Sequence, residues 1–275
     1  MTGSNENKYF ELENDDILFK HEFNPEVFKS NKNFNFSVTL NNESQIIFNK
    51  ILQKSIEVQS LLDVCSVIKE YQIGKGTPKQ TQSDKEKRIF NSNLKIDDTY
   101  VKELRGKNID KYFIKWNNEY VKYGKHIAEP RDVKYFQGER ILIRKIPGLK
   151  SLVVAYIKDD YVIDQSLYIG KPLNEFVSIK HVLGCLNSTL VYWYFKNLYN
   201  EFDTLFPQIK TNEFKSLPIL NCSESEKQPF TDLVNQILSK KEKGEDTTEI
   251  EAQIDQLVYK LYELTEEEIK IVENA

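Results

Sequence analysis

Between Arg140 and Ile169 the chain reads RILIRKI, SLVVAYI and YVIDQSLYI, three short runs rich in Val, Ile and Tyr, separated by PGLK and KDD. Such runs, bounded by turn residues, predict an antiparallel meander. Ile141 and Ile143 then share one face of the first strand, and Leu142 and Arg144 the other. On both sides of this region the apolar spacing is helical. From Asn42 to Cys65, after an Asn-Asn start suited to capping, Ile47, Ile51, Val58, Leu62 and Cys65 predict one long amphipathic helix with one turn skipped. From Ile179 to Leu198 the spacing predicts a helix apolar nearly all round, hence buried, with Gly184 admitting a close neighbour. Pro229 precedes Phe230, Leu233, Val234, Ile237 and Leu238; after KGED the pattern resumes at Ile250, Ile254, Leu257, Val258 and Leu261, which predicts a helical hairpin. Thr265 followed by Glu268 marks the start of a last short helix. The fold class read from these patterns is α+β: a central antiparallel β-sheet with a buried helix, preceded by a long helix and followed by a C-terminal helical hairpin. The divisions fall at 1–65, 66–220 and 221–275.

A chain of 275 residues with 40% apolar side chains can fill a core. Cys65, Cys185 and Cys222 are odd in number and contain no CxxC pair, which argues against a disulfide framework and a zinc ribbon and fits a reducing cytoplasm. The longest apolar stretch, VLGCLNSTLVYWYF, is broken by Asn187, Ser188 and Thr189 and is too short to span a bilayer, so no membrane partner is expected. The net charge of -4 is unevenly spread. Tyr71 to Lys150 hold 19 Lys and Arg against 10 Asp and Glu, a balance of +9, and the rest of the chain stands at -13. A polyanion would be drawn to the middle of the sequence. Residues 221–275, with 6 basic and 14 acidic side chains, suit packing against a neighbouring domain or subunit instead.

The basic region opens with YQIGKGTPKQTQSDKEKR at 71–88. GKG lacks the second half of GxGxxG and no GxxxxGK[ST] occurs, so a nucleotide-phosphate loop is disfavoured. Gly74 and Gly76 would let backbone amides approach a phosphate, and Pro78 would stiffen the turn. His181 and Cys185, four apart on a helix, lack two further metal ligands and read as core; His126 reads as a hydrogen-bonded surface histidine. Asp203 with Glu213 and Lys215 loosely fits an acid-acid-lysine nuclease pattern, but triplets like it arise by chance here. No catalytic residue is assigned, and no metal site.

IGKGTPKQT, LRGKNIDKY, YVKYGKHIAEPRDVKYFQGERILIRKI, YVIDQSLYIG, LGCLNSTLVYWYF and FPQIKTNEFKSLPI, in this order, resemble the TaqI-like C-terminal specificity domain of restriction-modification enzymes. The resemblance runs from about Leu62 to the end, where IDQLVYKLYELTEEEIKIVE looks like the close of such polypeptides. It implies that 66–220 form a target-recognition domain. That domain would read a short double-stranded DNA sequence for an adenine-specific DNA methyltransferase, often with a fused nuclease, in a bacterial type II defence system. The chain has NPEV at Asn24 to Val27 where the full enzymes have NPPY, and no glycine-rich S-adenosylmethionine motif. S-adenosylmethionine, and Mg2+ if a nuclease is attached, are therefore expected in a methyltransferase domain or subunit outside this chain, which is either an excised fragment or a separate recognition subunit. A non-catalytic protein-interaction or structural module of a DNA-modifying complex is the alternative.

DNA recognition needs Lys, Arg and hydroxyls for phosphates and Gln, Asn or Arg for base edges. Lys75, Lys79, Thr81 and Lys107 are expected on phosphates, and Gln80, Gln82 and Arg105 on bases. Lys125, Arg131, Arg144 and Lys145 would extend the basic surface, with Gln165 and Ser166 as further readers. Tyr123 and Tyr135 are expected in packing, with stacking on unpaired bases as the other use.

Overall fold

The structure, a computed structural model, describes residues 7–13, 16–23, 41–65, 67–199 and 208–274. Asp203 and the NPEV stretch lie outside the described residues. In chain order the elements are β1 (Asn7–Glu13), β2 (Asp16–Phe23), α1 (Asn42–Lys54), β3 (Ser55–Glu57), β4 (Leu62–Cys65), α2 (Gln82–Lys87), β5 (Asn91–Ser92), β6 (Tyr100–Leu104) and β7 (Tyr120–Lys122). There follow β8 (Arg140–Arg144), β9 (Val154–Ile157), β10 (Val162–Ile163), β11 (Leu167–Pro172), α3 (Ile179–Leu186), α4 (Thr189–Leu198), α5 (Thr211–Lys215), β12 (Pro218–Leu220), α6 (Glu224–Glu242), α7 (Thr248–Leu261) and α8 (Glu266–Glu273). The fold is α+β, as expected.

The central sheet has the order β4-β11-β8-β9 and is antiparallel throughout. Alternation along its strands buries both faces. Leu62, Val64, Ile141, Ile143, Val154 and Tyr168 enter a large core built with α1 and the later helices. Leu142, Ala155, Ile157, Leu167 and Ile169 enter a smaller core shared with a second sheet, β10-β6-β7-β5. The large core also takes Phe230, Val234, Ile254 and Val258 of the C-terminal hairpin, so one packed interior crosses the boundary at 220. Gly184 of α3 is where α6 approaches: a Cβ there would lie 3.2 Å from the Phe230 ring.

Four sequence expectations are corrected. The long helix stops at Lys54, because Ser55–Glu57 pair as a strand with Pro218–Leu220 and Val58 N–H donates to Leu217 O at 3.0 Å. Leu62–Cys65 then alternate buried and exposed as β4, a period of two inside what reads as a helical pattern. The meander gives way to a different order. β11 lies on the far edge of β8 from β9, and β10, from the same run as β11, pairs parallel with β6 in the other sheet. The buried helix is two helices, because the Asn187 amide leaves the helix to bond both Val154 N–H (3.1 Å) and Val154 O (2.9 Å) while Ser188 caps α4. Finally, α6 starts at Glu224 behind a Ser223–Glu226 capping box, with Pro229 inside the helix and not at its start. The Thr265–Glu268 capping box opens α8 as expected. Among the described residues no helix is long and apolar enough to cross a membrane.

Candidate nucleic-acid interface

Parallel strands send their exits out of the same end of a sheet. β6 and β10 pair in register at Glu103 with Val162 and Leu104 with Ile163, so Arg105–Lys107 and Asp164–Ser166 emerge side by side. β8 ends next to them, because Arg144 pairs with Leu167 at the start of β11. Three chain segments from two sheets thus meet. Ser166 ties them: its Oγ accepts from Gly106 N–H at 2.7 Å and donates to Asp164 Oδ1, and its carbonyl accepts from Lys145 N–H at 3.1 Å. Between them opens a groove of ≈ 820 Å³, lined by Arg105, Gly106, Lys107, Arg144, Lys145, Ile146, Asp164, Gln165, Ser166 and Gln208. Four of its ten lining residues are cations.

The cations are held in different ways. Arg105 rests on a buried acidic pair. Its Nε (3.0 Å) and Nη2 (2.7 Å) donate to Glu103 Oε2, and Nη2 also donates to Glu70 Oε1 at 2.9 Å. Nη1 makes no hydrogen bond among the described residues, so it is the edge of the fork left for a ligand. Glu103 is fully buried, and burial beside Glu70 pushes its pKa well above the usual carboxylate range, with Arg105 opposing the rise. Arg144 donates to the carbonyls of Ile146 (2.8 Å) and Pro147 (3.4 Å), and no carboxylate pairs with it among the described residues. The Lys145 Nζ lies 4.6 Å from the Tyr168 ring centre; burial lowers its pKa and Asp164 opposes this. Lys107 is exposed and pairs with Glu119 at 2.7 Å.

Six of the thirteen residues expected from sequence therefore line one groove: Arg105, Lys107, Arg144, Lys145, Gln165 and Ser166. Ser166 is occupied in joining the segments, whereas Gln165 is exposed. The glycine-rich loop contributes none of the lining. Gln80 is corrected from base reader to loop organiser: it is buried, its Oε1 accepts from Gln72 N–H (2.8 Å), and its Nε2 donates to Glu70 O (2.9 Å) and His126 O (2.7 Å). Gly76 serves the same packing. Its φ is +81°, and a Cβ would fall 2.2 Å from His126 O, so glycine lets the loop close on its neighbour. Thr81 caps α2 through Asp84, and Gln82 donates to Glu86 at 2.6 Å. Lys75, Lys79 and Lys125 are exposed, and Arg131 pairs with Glu129 at 3.4 Å.

The other residues read from sequence have structural places. His126 bonds Lys122 O at 2.7 Å and packs on Phe90. The Tyr123 hydroxyl bonds the Arg131 carbonyl, and its ring meets Phe136 edge-on. Lys134 lies over the ring of Tyr135. His181 Nε2 lies 3.4 Å from Cys185 Sγ and 3.5 Å from Cys222 Sγ; burial lowers its pKa to about 4, and no metal-binding cluster occurs among the described residues. Glu213 bonds the backbone N–H of Lys210 at 2.8 Å and pairs with its side chain. Asp164, Gly106, Ile146 and Gln208 were missed in the sequence. Asp164 stands directly before Gln165 and Ser166, but the run containing it reads as one strand, and only the split into β10 and β11 brings that turn to a groove.

All ten groove residues fall within 101–219, the stretch that matches the family model of the TaqI-like C-terminal specificity domain. The match covers less than half of the chain. Among solved structures it is similar to MmeI, a type IIL restriction-modification enzyme solved in complex with DNA, with a TM-score of 0.51 and 10% identity, covering 76% of this chain and 34% of that one. It is also similar to the type IIG restriction endonuclease BpuSI, with a TM-score of 0.46 and 9% identity over 90% of this chain and 36% of that one. For the HsdS subunit from Thermoanaerobacter tengcongensis the TM-score is 0.38 and the identity 11%, over 80% of this chain and 51% of that one. The chain thus spans between a third and about half of the structures it matches. No curated protein matches it.

Proposed function

We propose that this chain recognises a short sequence in double-stranded DNA as the specificity part of a restriction-modification system, and that it presents the duplex to an adenine methyltransferase domain or subunit outside it. The observation that carries this reading is the coincidence of the cationic groove with residues 101–219. The groove offers Lys107 and Lys145 to phosphates, and Arg105 and Gln165 to base edges. S-adenosylmethionine, and Mg2+ where a nuclease is attached, belong to the other part of the system. Lys75, Lys79 and Lys125 would extend the phosphate-binding surface from the neighbouring loop and turn.

The test is selection from a randomised duplex pool with the chain itself at low salt. Enrichment of one short motif is expected, and a pool that stays random overturns the reading. Gln80→Ala removes three internal hydrogen bonds and is expected to lower stability by roughly 1–3 kcal/mol while enriching the same motif.

A further inference from the structure

Asp164 is a carboxylate in a groove otherwise suited to phosphate. It is 9% exposed and lines the groove beside Arg105 and Lys145. Its Oδ1 is occupied by the N–H of Ser166, at 3.0 Å, and by the Ser166 hydroxyl. Its Oδ2 has no hydrogen-bond partner among the described residues. Asp164 lines the groove, and its Oδ2 is not one of the fully buried unpaired side-chain atoms among the described residues, which are Glu103 Oε1, Arg140 Nε and Tyr259 OH. The Ser166 bonds fix the side chain's orientation, so one acceptor stands in place before any ligand arrives.

A negative acceptor next to a phosphate oxygen is repulsive, whereas next to an N–H donor it makes a charge-assisted bond. On a duplex, the donors in the major groove are the exocyclic amines of adenine N6 and cytosine N4; guanine and thymine offer acceptors there. We infer that Asp164 is a specificity-determining residue that accepts a hydrogen bond from the exocyclic amine of an adenine or cytosine at one position of the recognised sequence. This rests on the DNA reading proposed above. It also gives the groove a means of rejection, since a base with only acceptors at that position would leave the carboxylate desolvated and unpaired. Arg105 and Lys145 offset the charge of Asp164, so the groove as a whole still attracts a polyanion.

The experiment is a cycle between base and side chain on the motif enriched by the full chain. Each adenine is replaced in turn by a purine lacking the 6-amino group and each cytosine by a pyrimidinone lacking the 4-amino group, and binding is measured for the parent and for Asp164→Asn. Asparagine keeps an oxygen for Ser166 but replaces the free acceptor by a donor. At one position, loss of the amine is expected to weaken the parent about tenfold and to leave Asp164→Asn unchanged; whether the sensitive analogue is the purine or the pyrimidinone tells adenine from cytosine. If every analogue costs Asp164→Asn what it costs the parent, or if no position of the parent's motif depends on an amine, Asp164 is not the reader. A parent chain that enriches no motif overturns the DNA reading itself.

Discussion

Arg105→Ala is expected to destabilise the protein by about 3–5 kcal/mol, a large share of the roughly 5–15 kcal/mol that holds a domain folded. The cost comes from what the arginine leaves behind. Glu70 and Glu103 are 6% and 0% exposed, and both bond the same guanidinium. Without it, one oxygen of Glu103 remains unpaired as it already is, and the other loses both charged donors that Arg105 supplies. Arg105→Lys is expected to rescue little, because an ammonium cannot supply the Nε and Nη2 fork. At pH above the raised pKa of Glu103, where its carboxylate is ionised, Glu103→Gln is expected to recover part of the loss in the double variant, since a neutral amide does not need the counter-charge. Thermal unfolding of the four proteins measures the coupling, and strict additivity would mean the pair does not act as a unit.

The same site sets a pH dependence. Burial and Glu70 raise the folded-state pKa of Glu103 above its ordinary value of 4.5, so between those values the folded protein binds a proton that the unfolded chain has lost. The stabilisation is complete below the ordinary value and is lost as pH rises toward the raised one. Glu103→Gln removes this dependence. The melting temperature of the variant should therefore gain on the parent as pH increases.

The outline of the fold was legible because it rests on local signals. The valine- and isoleucine-rich runs, the capping box at Thr265 and the glycine at 184 each act within a few residues or on one face. What was not legible depends on pairing across long separations. Nothing near Ser55 reveals that Pro218–Leu220 will claim it as a strand, and nothing in YVIDQSLYI says that its first half will join β6 and its second half β8. The candidate site shows the same limit. The charge balance located the basic region, which holds Arg105, Lys107, Arg144 and Lys145, while Gln165 and Ser166 were read from the strand-like run beyond it. In the glycine-rich loop, the most conspicuous motif, Gln80 turned inward because it finds three backbone partners there, while Lys75 and Lys79 stay exposed. Asp164 entered the site only through the parallel pairing of two short strands.

Removing the groove's charge is expected to have the largest effect on binding. The variant Lys107→Ala, Arg144→Ala, Lys145→Ala leaves the Arg105 site untouched and deletes three cations that line one surface. Each cation that no longer neutralises a phosphate lowers the slope of log affinity against log salt by about 0.9, so a change of roughly two to three is expected, with affinity falling by two orders of magnitude or more at low salt. Lys75→Ala with Lys79→Ala, on the exposed loop beyond the groove lining, is the comparison and is expected to change the slope less. The decisive measurement is the salt dependence of duplex binding by the parent and these two variants. A slope that flattens mainly in the groove variant is the expected result; an unchanged slope in that variant, or a loss confined to the loop variant, would contradict the claim that this groove meets the double helix.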